Sequence, residues 1–210
     1  MSPRRDAGEY ESKRQQIIDA ALHVFATKGF EKATNKDIAD EARIASPGLI
    51  YHYFKDKADL FKQVMQERAP VLQLLDHSDD LMEMPPREAL TMIATAFLKM
   101  LENRHAVSML KMVLSEAVKR PAMAEMVVKI GPGRGLAFIA RYLSHQMEKG
   151  TLRKMDPNAA ARCFMGPLAG YMLTREVFIL PDALSVSPEM MVQTTVDIFL
   201  HGMEDRETSG

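Results

Sequence analysis

Apolar residues recur along this chain at intervals of three and four, the spacing of a helix face, and no stretch shows the period-two alternation of a strand. Lys13 to Lys28 forms one such helix, closed by Gly29-Phe30, and others are expected from Asn35, from Ser46 and from Asp56, the last fading near Leu75. Asp76 to Met84 reads as a polar loop. Pro85-Pro86 opens a helix to about Arg104, with Ala89, Met92, Ile93, Ala96, Phe97 and Met100 on one broad face. His105 to Lys119 follows, then a short helix from Ala122 to Ile130 and a break at Gly131-Pro132-Gly133. A longer helix runs on to Lys149, with Gly150 as its C-cap. Asp156-Pro157 and Ser187-Pro188 each pair a capping side chain with proline at the first helical position. They open the last two helices, about 157–180 and 188–204, before a frayed tail. The pattern predicts an all-α protein.

Two of these helix starts lie close together. Thr34 and Asp37 have the Thr-x-x-acid form of a capping box, so a helix begins at Asn35 with its first donors satisfied. Ile38, Ala39 and Ala42 give it a narrow apolar face. Ser46-Pro47 opens the next helix, and Gly48 leaves its entry bare for another surface to approach. Ile50 and Phe54, four apart, anchor that helix inward, which leaves Leu49, Tyr51, His52 and Tyr53 around the rest of it. Asp56 restarts a third helix, with Lys57 and Leu60 behind it. This is the grammar of a helix-turn-helix whose second helix enters a DNA major groove.

Residues 10 to 65 resemble the N-terminal domain of TetR-type transcriptional regulators. The likeness rests on the first helix, Thr34, Asp37-Ile38-Ala39, Gly48, Ile50-Tyr51-His52-Tyr53-Phe54, Lys57 and Leu60-Phe61. One departure stands out. The family turn commonly reads Ala-Gly-Val-Ser, whereas Ala42-Arg43-Ile44-Ala45-Ser46 is one residue longer and has Arg43 at the usual glycine. The resemblance implies a three-helix helix-turn-helix domain followed by a helical ligand-binding and dimerisation domain. The boundaries would be a flexible basic arm over 1–9, the DNA-binding domain over 10–55, the effector and dimer domain over 56–204 and a tail over 205–210. It also implies a homodimeric repressor on a palindromic double-stranded operator, with its reading helices ~34 Å apart, released by a small effector. In that reading Thr34 and Lys36 meet a phosphate at a helix start. Ser46, Pro47, Gly48 and Leu49 reach base edges. Tyr51 and Tyr53 offer hydroxyls to phosphates, His52 touches a base or a phosphate, and Lys57 pins the backbone. The helix from Asp56 is the expected lever. The alternatives are a binding or interaction module with a vestigial helix-turn-helix, and an activator that needs no ligand.

The last two helices carry more apolar surface than one core uses. Cys163 to Leu173 is apolar nearly all round, and Gly166 and Gly170 strip side chains from one stripe of it. The final helix places Val192, Val196, Phe199 and Met203 on one face, with Met191, Thr195 and Ile198 beside it. A dimer surface is expected here. The chain also has 17 methionines, a flexible residue suited to cavities that accept varied shapes. Met100, Met109, Met112, Met165 and Met172 would suit a small apolar or amphipathic effector, oriented by Arg175.

Composition narrows the function by exclusion. A formal net charge of −1 over 210 residues neither supports nor opposes nucleic-acid binding. No apolar run reaches the ~18 residues of a membrane span, and no hydrophobic leader is present, so a cytoplasmic protein is expected. The single cysteine, Cys163, excludes an intramolecular disulfide and is expected to be buried. The six histidines include no His-Glu-x-x-His, and Glu102-x-x-His105 is half of a di-metal pattern without its second copy. Gly131 to Gly135 follows no strand and precedes no Lys-Ser/Thr, so it is no phosphate loop. Neither an enzyme nor a bound metal or cofactor is expected.

Overall fold

The computed structural model describes residues 3–68, 73–74, 78–119, 125, 128–129 and 131–203. Among these the secondary structure is helical, with no strand. The helices are α1 (Pro3–Lys28), α2 (Asn35–Glu41), α3 (Ile50–Tyr53), α4 (Lys57–Arg68), α5 (Ser78–Glu83) and α6 (Pro86–Leu98). They continue as α7 (Arg104–Lys119), α8 (Pro132–Glu148), α9 (Pro157–Glu176), α10 (Pro181–Ser185) and α11 (Pro188–Met203). Contacts divide the chain into two compact units, Met1–Arg68 with Asn103–Met126, and Ala69–Glu102 with Val127–Gly210.

In the first unit α1 packs against α2, α4 and α7. Its buried stripe is Ile17, Ile18, Ala21 and Phe25, at the helical spacing read from the sequence. Phe25, Phe30 and Phe61 form an aromatic cluster with centroids 5.1–5.7 Å apart, and truncating the fully buried Phe61 to alanine would cost about 3–5 kcal/mol. Polar pairs fix the outer side of the α1–α4 contact. Arg14 pairs with Glu67, Gln15 donates to Glu67 at 2.7 Å, and Arg68 meets Asp19 at 2.9 Å. The second unit packs α8 on α9, α9 on α11 and α6 on α11 around Leu90, Ile93, Tyr142, Phe164, Leu168 and Val196.

Several helix ends follow the local chemistry of the sequence. Asp156 accepts the Ala159 N–H at 2.7 Å and Ser187 the Met190 N–H at 3.1 Å, both as N-caps. Gly150 closes α8 at φ 76°, where a side chain would be strained. Other ends differ from expectation. Residues 3–9, read as a flexible arm, are the first turns of α1, which opens at Pro3, a residue with no N–H to leave unpaired. Residues 78–83, read as loop, form α5, with Asp79 and Asp80 in the first turn and Leu81 buried beneath. The helix from Pro86 ends at Leu98 and tightens into a 3-10 turn, Lys99–Glu102. Asn103 then starts α7, accepting the N–H groups of His105 (2.9 Å) and Ala106 (3.2 Å). α9 stops at Glu176, and Pro181 opens an unforeseen α10. The short helix expected over 122–130 falls largely outside the described residues, as does the tail 205–210.

Candidate DNA-reading site

The helix-turn-helix is held by backbone bonds at every joint. Thr34 caps α2: its hydroxyl accepts the Asp37 N–H at 3.1 Å, and the Asp37 carboxylate accepts the Thr34 N–H at 3.0 Å. Lys28 donates to the same carboxylate at 2.7 Å. This bond, then those from Thr34, holds the Asp37 pKa down at about 2. α2 ends in a Schellman motif, with Arg43 N–H bonded to the Asp40 carbonyl (3.1 Å) and Ile44 N–H to the Ala39 carbonyl (3.0 Å). Arg43 sits at φ 50°, so it occupies the left-handed position that glycine usually fills in this turn. Ser46, at the end of the link, is extended, φ −155°.

The recognition segment starts where the sequence predicts but by a different device. Pro47–Leu49 is a 3-10 turn closed by the Leu49 N–H on the Ser46 carbonyl at 3.1 Å, and only then does α3 begin. The Ser46 hydroxyl makes no capping bond, so the expected side-chain cap is replaced by a backbone one. Ile50 and Phe54 are buried, each 2% exposed, and anchor the segment as predicted. Ser46, Pro47, Gly48, Tyr51 and His52 face solvent, and Leu49 is half-buried. A Cβ added at Gly48 would meet only the Ser46 Oγ, at 3.7 Å, so nothing inside the chain requires glycine there.

Three expected contact residues are already engaged within the protein. Thr34 uses both its N–H and its hydroxyl hydrogen on Asp37. Lys57 donates to the carbonyls of Phe30 (2.8 Å), Ala33 (3.1 Å) and Glu31 (3.2 Å) and lies over the Phe30 ring. Its ammonium thereby holds the link between α1 and α2. Tyr53 is half-buried and packs on Tyr10 of α1 at 4.6 Å between centroids. Tyr10 also meets the His52 ring edge-on at 6.0 Å. Sequence reading passed over Tyr10, although it extends the α1 stripe that continues through Arg14, Ile17 and Ala21. Arg14 in turn lies over the Phe54 ring at 5.6 Å, so α1 grips the C-terminal end of α3. Lys36 remains exposed at the start of α2.

The expected effector residues are not gathered in one unit. Met109 and Met112 belong to the first, while Met100, Met165, Met172 and Arg175 belong to the second. Met109 and Met172 are buried. Arg175 donates to the Tyr171 hydroxyl at 2.8 Å and to the Val186 carbonyl at 3.3 Å, so it pins the α10–α11 link. On the outer face of α9 and α11 a groove of about 400 Å³ is lined by Ala159, Cys163, Pro167, Thr194, Ile198 and Phe199, among others. Cys163 is exposed there, contrary to expectation, because it shares the outward stripe of α9 with Gly166 and Gly170. A Cβ added at either glycine would meet nothing within 4 Å.

A capped helix, a tight turn and a bare, polar second helix on a three-helix scaffold define a DNA-binding regulator. Residues 17–64 match the family described as bacterial regulatory proteins, tetR family, and residues 88–202 match the AefR-like transcriptional repressor, C-terminal domain. The chain belongs to the TetR family of transcriptional regulators. It is 27% identical over 170 residues to the HTH-type transcriptional regulator SrpR of Pseudomonas putida, which spans 80% of this chain and 78% of that one. It is 25% identical over 198 residues to the HTH-type transcriptional regulator YvkB of Bacillus subtilis, spanning 90% and 96%. Its fold is similar to that of FadR from Bacillus subtilis, solved in complex with stearoyl-CoA, with a TM-score of 0.69 and 19% identity over 90% of this chain and 99% of that one. Among the described residues no helix is long and apolar enough to cross a membrane.

Proposed function

We propose that the chain acts in the cytoplasm as a homodimeric repressor whose two α3 segments read a palindromic operator, and that a small amphipathic molecule releases it. The bare glycine at 48 carries the DNA-reading part: it has no task inside the chain, yet it stands between the free edge of Ser46 and the exposed Tyr51. Direct reading falls to Ser46, Pro47, Gly48, Leu49 and His52, and phosphate contact to Lys36 and Tyr51. Tyr53, Thr34 and Lys57 act by positioning these groups. Residues 10–55 form the reading domain, with α4 and α7 packed on it in the same compact unit, and the second unit carries the proposed dimer surface. The Gly166–Gly170 stripe with Ile198 supports the dimer, since apolar surface of this kind gains most when a second copy covers it. The acyl-CoA bound by the similar FadR structure makes fatty-acyl conjugates the first effector class to test.

The test is an electrophoretic shift with the promoter region beside the protein's own gene. Gly48→Val should melt like the wild type and lose specific binding, because the added methyls meet DNA rather than protein. Leu49→Ala or His52→Ala should instead change preference at one symmetric pair of operator positions, by roughly 1–3 kcal/mol. Wild-type binding by all three variants would refute the reading-helix assignment.

A further inference from the structure

Two histidines separated by 82 positions meet in the first unit. Nδ1 of His23 in α1 lies 3.1 Å from Nε2 of His105 in α7, with the rings edge to face at 4.8 Å between centroids. The other nitrogen of His23, Nε2, faces Glu41 at the end of α2, 4.0 Å from its Oε1. The site is open to water: the His23 side chain is 39% exposed, and His105 and Glu41 lie at the surface.

In the free protein the pair shares one N–H···N hydrogen bond. The same separation is also a chelating bite. With metal–nitrogen bonds of ~2.0–2.1 Å, nitrogens 3.1 Å apart subtend about 98° at the ion, between the octahedral and tetrahedral angles. Glu41 stands on the far side of that ligand, 4.0 Å away and so not hydrogen-bonded to it in the free protein. A carboxylate that closes onto the Nε2–H when the ion binds fixes the tautomer whose Nδ1 lone pair is left for the ion. His105 is steadied from its backbone, where its N–H is bonded to the Asn103 side chain at 2.9 Å. Both histidines are neutral when they ligate: the ion takes the place of the hydrogen between them, and that hydrogen passes through water to Nδ1 of His105.

We propose that His23 and His105 form a two-point site for a divalent transition metal of the imidazole-binding class, such as Zn²⁺, Ni²⁺ or Cu²⁺, with Glu41 as the outer partner. No group of three or more His, Cys, Asp or Glu suited to a metal gathers among the described residues, so water completes the coordination. Mg²⁺ and Ca²⁺ require oxygen ligands and are poor occupants. Occupancy ties α1 to α7, and through Glu41 it bears on α2, the first helix of the helix-turn-helix. The site stands independently of the operator reading, because binding of the ion is measured without DNA.

The experiment uses full-length protein without an affinity tag, stripped of metal by a chelator and dialysed. At a hundredfold excess over its dissociation constant, Ni²⁺ or Zn²⁺ should raise the unfolding midpoint by roughly 5–10 °C, and Mg²⁺ should not. His23→Gln and His105→Gln, both surface changes whose fold is checked by circular dichroism, should each abolish the rise. Glu41→Gln should weaken binding by about 10–100-fold. Electron paramagnetic resonance of the Cu²⁺ form should show two imidazole nitrogens in the wild type and one in His23→Gln. An unchanged midpoint shift in both histidine variants, an equal shift with Mg²⁺, or a copper spectrum lacking the second nitrogen would each overturn the proposal.

Discussion

The edge of α3 and the outer face of α9 and α11 are both exposed, and both carry glycine that the chain itself does not need. They differ in what surrounds the bare backbone. Beside Gly48 stand the Ser46 hydroxyl, the phenol of Tyr51, which is 61% exposed, and the His52 imidazole. On the same helix as Gly166 and Gly170 stand the exposed Cys163 and Pro167, which line a groove with Ile198, 69% exposed. An idle glycine marks a face that something approaches closely, and the chemistry around it says what kind of surface that is. Hydroxyls and an imidazole suit phosphates and base edges. Thiol, ring and aliphatic groups around an empty groove suit another apolar surface.

The comparison is tested most severely at the apolar face. Gly170→Arg should leave the protein monomeric in sedimentation and lower operator affinity by about 10²-fold or more, because the second half-site is then no longer held in reach. A dimer that survives the substitution would mean that another surface joins the copies. The next largest effect concerns the support behind the polar edge. Lys57→Ala removes three charge-assisted bonds to carbonyls and should lower unfolding stability by about 1.5–3 kcal/mol. The salt slope of DNA binding should then change by clearly less than ~1. A full unit of slope without loss of stability would return Lys57 to the phosphate backbone.

Smaller effects follow at the turn and its cap. Arg43→Gly relieves a left-handed side-chain-bearing residue and should raise stability by about 1 kcal/mol with operator binding intact. The capping carboxylate gives a pH signature. Asp37 is held at about 2, below its usual value near 3.9. Its stabilisation is therefore complete above the usual value and disappears as the pH falls toward 2. Asp37→Asn should be less stable than the wild type at pH 7 and approach it near pH 2, as followed by denaturant unfolding at both values.

The parts of this fold that could be read in advance depend on bonds spanning three or four residues. The Thr34–Asp37 box, the caps at Asp156 and Ser187 and the glycine at 150 all lie within such a window. So does the inward pair Ile50 and Phe54. What escaped the sequence depends on packing between distant segments. Lys57 finds its carbonyls 24 to 27 positions upstream, and Tyr10 reaches Tyr53 from a part of α1 that lies before Lys13, where the sequence reading began that helix. Cys163 looked buried because α9 is apolar on every side, and periodicity cannot choose among equally apolar faces. At Ser46 the cap motif was present, but the 3-10 turn satisfied the backbone first.

The grip of Tyr10 on Tyr53 also bears on how operator preference could evolve. Position 53 is tied to the fold through its ring, so most replacements there disturb the helix. Position 46, whose hydroxyl makes no capping bond, has no such tie. On the proposed reading, a lineage that duplicates this gene can therefore explore new operators through the leading end of the reading segment at little risk to folding, while its other end keeps the segment in place.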